Sequence, residues 1–170
     1  MKRSNPGRAA RGAVPGAAGR RYCLVVSRYH GDVTERLESG ARQELVDLGV
    51  EESAVDVVSV PGAWELPWAV RRAAATDRYD GVVALGCVIR GETPHFDYVC
   101  RGATDGLARL AAEGRVPVGF GLLTCDTLAQ AEARSGGAVG NKGAEAARAV
   151  AELCGLAPLL PPVGGRENGT

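Results

Sequence analysis

The stretch Ile89-Arg90-Gly91-Glu92-Thr93-Pro94-His95 holds the densest reactive chemistry in the sequence. Gly91-Glu92-Thr93 leads into a helical pattern, and the free N–H groups and dipole of a helix start favour an anion. Glycine at 91 lets the backbone approach a phosphate closely, and Thr93 adds a hydroxyl. Thr93 as a plain helix cap explains the same residues equally well. Imidazole titrates near neutral pH, which suits His95 to moving protons. A lone histidine more commonly packs or caps at a helix start, and only one other histidine exists, too few for a multi-histidine metal site.

Glu65 follows Pro61-Gly62-Ala63-Trp64. A carboxylate at a helix start is stabilised by the dipole, which alone would account for it. The aromatic neighbour suggests more: a flat heterocycle stacking on Trp64, with Tyr29 as a second aromatic surface and Glu65 holding a polar arm. Arg134 and Lys142 bracket a Gly-rich joint, Gly136–Gly140. Arginine suits phosphate through its bidentate fork, yet from spacing alone solvated helix charges explain both residues better.

The elements that position these residues alternate. Tyr22–Ser27, Val55–Val60, Gly81–Val88 and Val116–Leu123 are short apolar runs that read as strands buried on both faces. Helices are predicted from Thr34 as N-cap to Gly49, from Glu65 to about Ala75, and from about His95 to Glu113. Two more follow over Thr127–Ser135 and Asn141–Cys154. This order implies an α/β protein: a three-layer α/β/α stack around a four-stranded parallel sheet. Ligands of such sheets bind beyond the carboxyl ends of the strands. Tyr29, Glu65, His95 and the Thr124-Cys125-Asp126 turn all follow strands directly.

With 170 residues and 17.6 kDa the chain fits one domain. Its 20 bases balance 20 acids, which argues against a surface tuned for nucleic acid or membrane. No run approaches the roughly 18 apolar residues of a membrane span. Six of the bases and no acid fall in residues 1–21, leaving 14 bases against 20 acids, a net −6, for residues 22–170. That Gly-, Ala- and Pro-rich stretch has no periodicity and reads as a disordered basic tail, with residues 22–156 as the domain and 157–170 as a flexible C-terminal tail. Five cysteines without a CxxC pair point to a reducing, cytoplasmic compartment. A reactive thiol at Cys125 is a minor alternative to a buried one.

VPGAWELP, LGCVIRGETPHFDYV, GFGLLT and GNKG occur in this order between Tyr22 and Leu156. Together they resemble the lumazine synthase family, which makes 6,7-dimethyl-8-ribityllumazine in the penultimate step of riboflavin biosynthesis. The resemblance implies a flavodoxin-like sheet and a transferase that needs no cofactor or metal. It implies that Tyr29 stacks on the pyrimidine, that Ala63, Trp64 and Glu65 bind the ribityl arm, and that Val88 and Ile89 offer backbone contacts. Glu92 and Thr93 match the phosphate loop, and His95 the proton-transfer histidine. Phe120, the phosphate-binding Arg134 and Lys142 match residues contributed by an adjacent subunit. A homo-oligomeric pentamer follows, with the short joint before GNKG favouring an icosahedral shell, and riboflavin synthase as a partner. Three features depart from the family pattern: His30 in place of the commoner Asn, Cys125 in place of Thr, and a proline-interrupted N-terminal segment. Competing readings are a receiver, a flavin-binding electron carrier, and a lumazine-synthase-like shell or flavin-binding protein with altered catalysis.

Overall fold

The computed structural model describes residues 14–160. Strands β1 (Tyr22–Ser27), β2 (Val55–Val60), β3 (Gly81–Ile89) and β4 (Val118–Cys125) form one parallel sheet in the order β2-β1-β3-β4. Helices α1 (Gly31–Asp47) and α5 (Lys142–Leu156) cover one face, and α2 (Leu66–Ala74) and α3 (His95–Glu113) cover the other. The expected three-layer architecture is present, in its flavodoxin-like form.

Strand alternation divides the core in two. Leu24 and Val26 of β1 point to the α1/α5 side, with Leu37, Leu45, Ala147 and Val150. Cys23 and Val25 point to the α2/α3 side, with Leu66, Val70, Ala103 and Leu107. β1 is buried throughout, and β3 is buried up to its last two residues. This is why both read as continuous apolar runs. The edge strand β2 departs from the expected two-sided burial, leaving Val57 and Val58 exposed. Each fully buried Leu or Val stabilises the fold by about 1.5–3 kcal/mol relative to exposure. With few aromatics, close approach does the rest. Gly119 of β4 admits Val150 of α5 and Gly121 admits Leu85 of β3, where a Cβ would not fit.

Several elements depart from the sequence reading, with β3 reaching Ile89 and α5 reaching Leu156 among the smaller shifts. α1 starts at Gly31, because His30 adopts the left-handed conformation (φ 57°, ψ 54°) and its carbonyl accepts from the amides of Val33 and Thr34. Thr34 therefore lies inside the helix, its hydroxyl donating to the Gly31 carbonyl. β4 starts at Val118 and runs to Cys125, two residues later than expected. Pro117 has no N–H for the ladder, and only its carbonyl takes part, accepting from Val82. Glu65 belongs to a short 3-10 turn, Ala63–Glu65, that precedes α2. The Gly-rich joint is a small hairpin, β5 (Ser135–Gly137) and β6 (Gly140–Asn141), between α4 (Leu128–Arg134) and α5.

The N-terminal reading changes most. Residues 14–21 are packed on the domain: Ala17 is fully buried, and its carbonyl accepts from the Tyr22 hydroxyl. Gly155 of α5 leaves no room for a Cβ beneath Pro15. Arg20 pairs with Asp80 at 3.8 Å and its guanidinium donates to the Gly16 carbonyl. Contacts distant in sequence hold this segment, so its lack of local periodicity is no sign of disorder. At the other end, Ala157–Leu159 form a 3-10 turn. The rest of both expected tails, residues 1–13 with Pro6 and residues 161–170, lies outside the described residues.

Candidate active site

The loops after β1, β2 and β3 emerge side by side because the parallel register places Ser27 beside Val60 and Val26 beside Leu85. They enclose an open cleft of ≈ 670 Å³. Tyr29 and His30 come from the first loop, Gly62 to Glu65 from the second, and Cys87, Val88 and Ile89 from the end of β3. His95 opens α3, with Tyr98 and Val99 one turn further on the same face. A wider depression between α1 and the hairpin, lined by residues such as Asp32, Glu35 and Arg36, is shallower and lacks aromatics.

Each side chain here has a local reason for its place. A Cβ at Gly62 would fall 2.9 Å from Cδ2 of Tyr29, so the tyrosine ring rests on bare backbone. Glu65 closes a capping turn: its Oε2 accepts from the Gly62 amide at 2.8 Å. Its other oxygen accepts no hydrogen bond among the described residues. Trp64 leans over Gly102 of α3, where a Cβ would clash with the indole. Tyr29 and Trp64 nonetheless stay 69% and 61% exposed, which leaves their rings open to a flat ligand.

At the start of α3 the cap is Pro94, and no side chain caps the helix. Thr93 is therefore not the cap of α3. Gly91, Glu92, Thr93 and His95 are all exposed. A Cβ at Gly91 would meet nothing within 4 Å, so no steric contact among the described residues requires glycine there.

Five expected residues do not line the cleft: Glu92 and Thr93, exposed in the loop before α3, and Phe120, Arg134 and Lys142. Phe120 sits on β4, half-exposed, in a separate ≈ 220 Å³ hollow with Thr104, Leu107 and Ala108 of α3. Arg134 ends α4 and donates to the Gln130 carbonyl at 2.9 Å. Lys142 opens α5 and pairs with Glu145 at 2.6 Å. The sequence reading also misses Tyr98, Val99, Gly62 and Cys87 as lining residues. The i+3 and i+4 spacing of Tyr98 and Val99 from His95 is the signal that would reveal the first two.

Burial pushes the Cys87 thiol up to about 12, so it lines the cleft as a neutral, apolar wall. Burial likewise raises Cys125 above the ordinary thiol range, although Arg134 pulls in the opposite direction. A reactive thiolate at Cys125 is thereby disfavoured. Among the described residues no three His, Cys, Asp or Glu side chains are grouped to hold a metal ion.

Residues 19–157 match the family profile described as 6,7-dimethyl-8-ribityllumazine synthase. The chain belongs to that family. It is 54% identical to a 6,7-dimethyl-8-ribityllumazine synthase of Gemmatimonas aurantiaca, over 84% of this chain and 87% of the relative. Relatives bearing the same name from Salinibacter ruber and Desulfovibrio desulfuricans are 51% and 46% identical. The alignments cover 84% and 80% of this chain, and 91% and 87% of those relatives. Membership in the lumazine synthase family covers the whole α/β/α unit and every cleft-lining element described above.

Proposed function

We propose that this cleft condenses 5-amino-6-(D-ribitylamino)uracil with 3,4-dihydroxy-2-butanone 4-phosphate to give 6,7-dimethyl-8-ribityllumazine, phosphate and water. The protein is then a transferase of riboflavin biosynthesis. The single observation that carries this assignment, beside family membership, is the convergence of Tyr29, Trp64, Glu65 and His95 on one cleft.

The division of labour follows from the geometry. Tyr29 and Trp64 offer stacking surfaces for the pyrimidine, and Ala63 lies beside the ribityl arm. The unpaired oxygen of Glu65 accepts from a ribityl hydroxyl while Oε2 stays tied to Gly62. The backbones of Val88 and Ile89 meet the pyrimidine edge. Gly91, Glu92 and Thr93, with the uncapped start of α3, receive the phosphate. The 5-amino group attacks the ketone and loses water to form an imine, phosphate is eliminated, and ring closure releases a second water. His95 moves the protons these steps require. Holding both substrates in register supplies much of the rate.

Phe120, Arg134 and Lys142 complete the site from a neighbouring copy in a pentamer, Arg134 clamping the departing phosphate. Their positions outside their own chain's cleft support this reading. So do the exposed apolar side chains Val57 and Val58 on the β2 edge, Trp68 and Leu159. The tight hairpin between Arg134 and Lys142 favours closure of pentamers into an icosahedral shell, with riboflavin synthase as its partner. No helix among the described residues is long and apolar enough to cross a membrane, and a cytoplasmic setting suits the free cysteines.

Mixing the purified protein with both substrates in the presence of a chelator tests the assignment. Lumazine absorbance is expected to grow at undiminished rate. No absorbance, together with tight riboflavin binding, would replace the enzyme with a flavin-binding shell protein.

A further inference from the structure

Arg90 lies one residue past β3, and its side chain reaches three places at once. Nε donates to Oδ1 of Asp126, just beyond β4, at 2.8 Å. Nη1 donates to both oxygens of Asp97, in the first turn of α3, at 3.2 and 3.3 Å. The guanidinium carbon lies 4.2 Å from the centroid of the Phe96 ring. Its backbone amide donates to the Cys125 carbonyl at 2.9 Å. One residue therefore ties the root of the Gly91–Thr93 loop to the helix turn that carries His95. It also ties both to the strand end that leads into α4 and Arg134.

We propose that Arg90 is a positioning residue for the phosphorylated substrate: its guanidinium fixes the Gly91–Thr93 loop against the start of α3 and neutralises the two carboxylates beside that loop. This rests on the reading of Gly91–Thr93 as the phosphate site. Stability does not explain the arrangement, since the pairs are exposed (44% for the Arg90 side chain) and surface pairs of this kind contribute little. Geometry explains it better. The loop has no side-chain cap, and Gly91 has open space where a Cβ would stand. The planar fork of Arg90 is what spans Asp97, Asp126 and Phe96 together, which a lysine does not do. Without it, Asp97 and Asp126 would stand unpaired beside a dianionic phosphate, well within the range at which charges feel each other in physiological salt.

Steady-state kinetics of the full chain, varying each substrate in turn at low and high salt, tests the proposal. Arg90→Ala is expected to raise KM for the phosphorylated substrate about tenfold or more, the size of one lost charge-assisted contact. KM for the pyrimidine should stay within about twofold, since that half of the cleft keeps its contacts. Arg90→Lys should fall between, keeping charge but not the fork. Replacing Asp97 and Asp126 by Asn in the Arg90→Ala background should recover the salt-sensitive part of the loss. Equal rises in both KM values, or no rise, would overturn the proposal. Should Arg90→Ala fail to fold, Arg90→Lys carries the same comparison: a selective rise supports the proposal, and an equal rise or none overturns it. Thr93→Ala separates the two levels. If it raises KM for the phosphorylated substrate and Arg90→Ala does not, Arg90 alone is misassigned. If Thr93→Ala changes neither KM, the phosphate is not on this loop, and the assignment of Arg90 falls with it.

Discussion

The ring of Tyr29 rests against Gly62, whose amide in turn anchors Oε2 of Glu65 at 2.8 Å. Gly62 is extended (φ −145°), so its conformation does not demand glycine; only the closeness of the ring does. A methyl group in Gly62→Ala would meet Tyr29 Cδ2 at 2.9 Å and Glu65 Oε2 at 3.2 Å. The exposed ring can swing away, so the melting temperature should barely move. KM for the pyrimidine should rise about 2- to 10-fold, the worth of one aromatic contact. A change confined to stability would show that the ring does not hold the substrate.

His95 is exposed and makes no side-chain hydrogen bond among the described residues. His95→Ala should therefore leave folding and assembly intact. Its turnover should fall about 10- to 10³-fold, less than or equal to a full acid–base contribution because water replaces part of it. An unchanged rate would remove His95 from the proton transfers.

Arg134→Ala should weaken the phosphorylated substrate far more than the pyrimidine, because the lost contact is charge-assisted. If the arginine comes from a neighbour, mixed assemblies of Arg134→Ala and His95→Ala subunits contain some wholly native sites and regain activity. Sedimentation checks the premise. An icosahedral shell is expected. A lone pentamer would leave the shared site standing, while a monomer would end it.

Burial raises the thiols of Cys23 and Cys154 to about 11 and that of Cys87 to about 12. A raised folded-state value means that the neutral thiol is favoured by folding. The stability this contributes is fully present below about 8.5, the unfolded value. It is lost as pH rises through about 11. Urea midpoints should hold from neutral pH to about 8.5 and then decline, and Cys23→Ala should decline less steeply than wild type. A midpoint that stays level to about pH 11 would contradict the burial of these groups.

Much of the fold can be read in the sequence because β1, β2 and β3 are encoded locally. Parallel strands inside a three-layer stack draw on apolar, β-branched runs, and Tyr22–Ser27 and Val55–Val60 match the observed elements residue for residue. The clustering of Tyr29, Glu65 and His95 after strands is legible for the same reason, since parallel topology sends every such loop to one end. Tertiary packing decides what local pattern does not carry. His30, not Thr34, sets the start of α1, because a left-handed turn brings its carbonyl to two helix amides. Residues 14–21 are held by contacts with Tyr22, Asp80 and Gly155, the last two far away in sequence, which no periodicity announces. The distances that separate Phe120, Arg134 and Lys142 from the cleft depend on how β4, α4 and α5 pack. Only the folded chain leaves Arg134 and Lys142 out of its own cleft lining and sets Phe120 in a separate hollow.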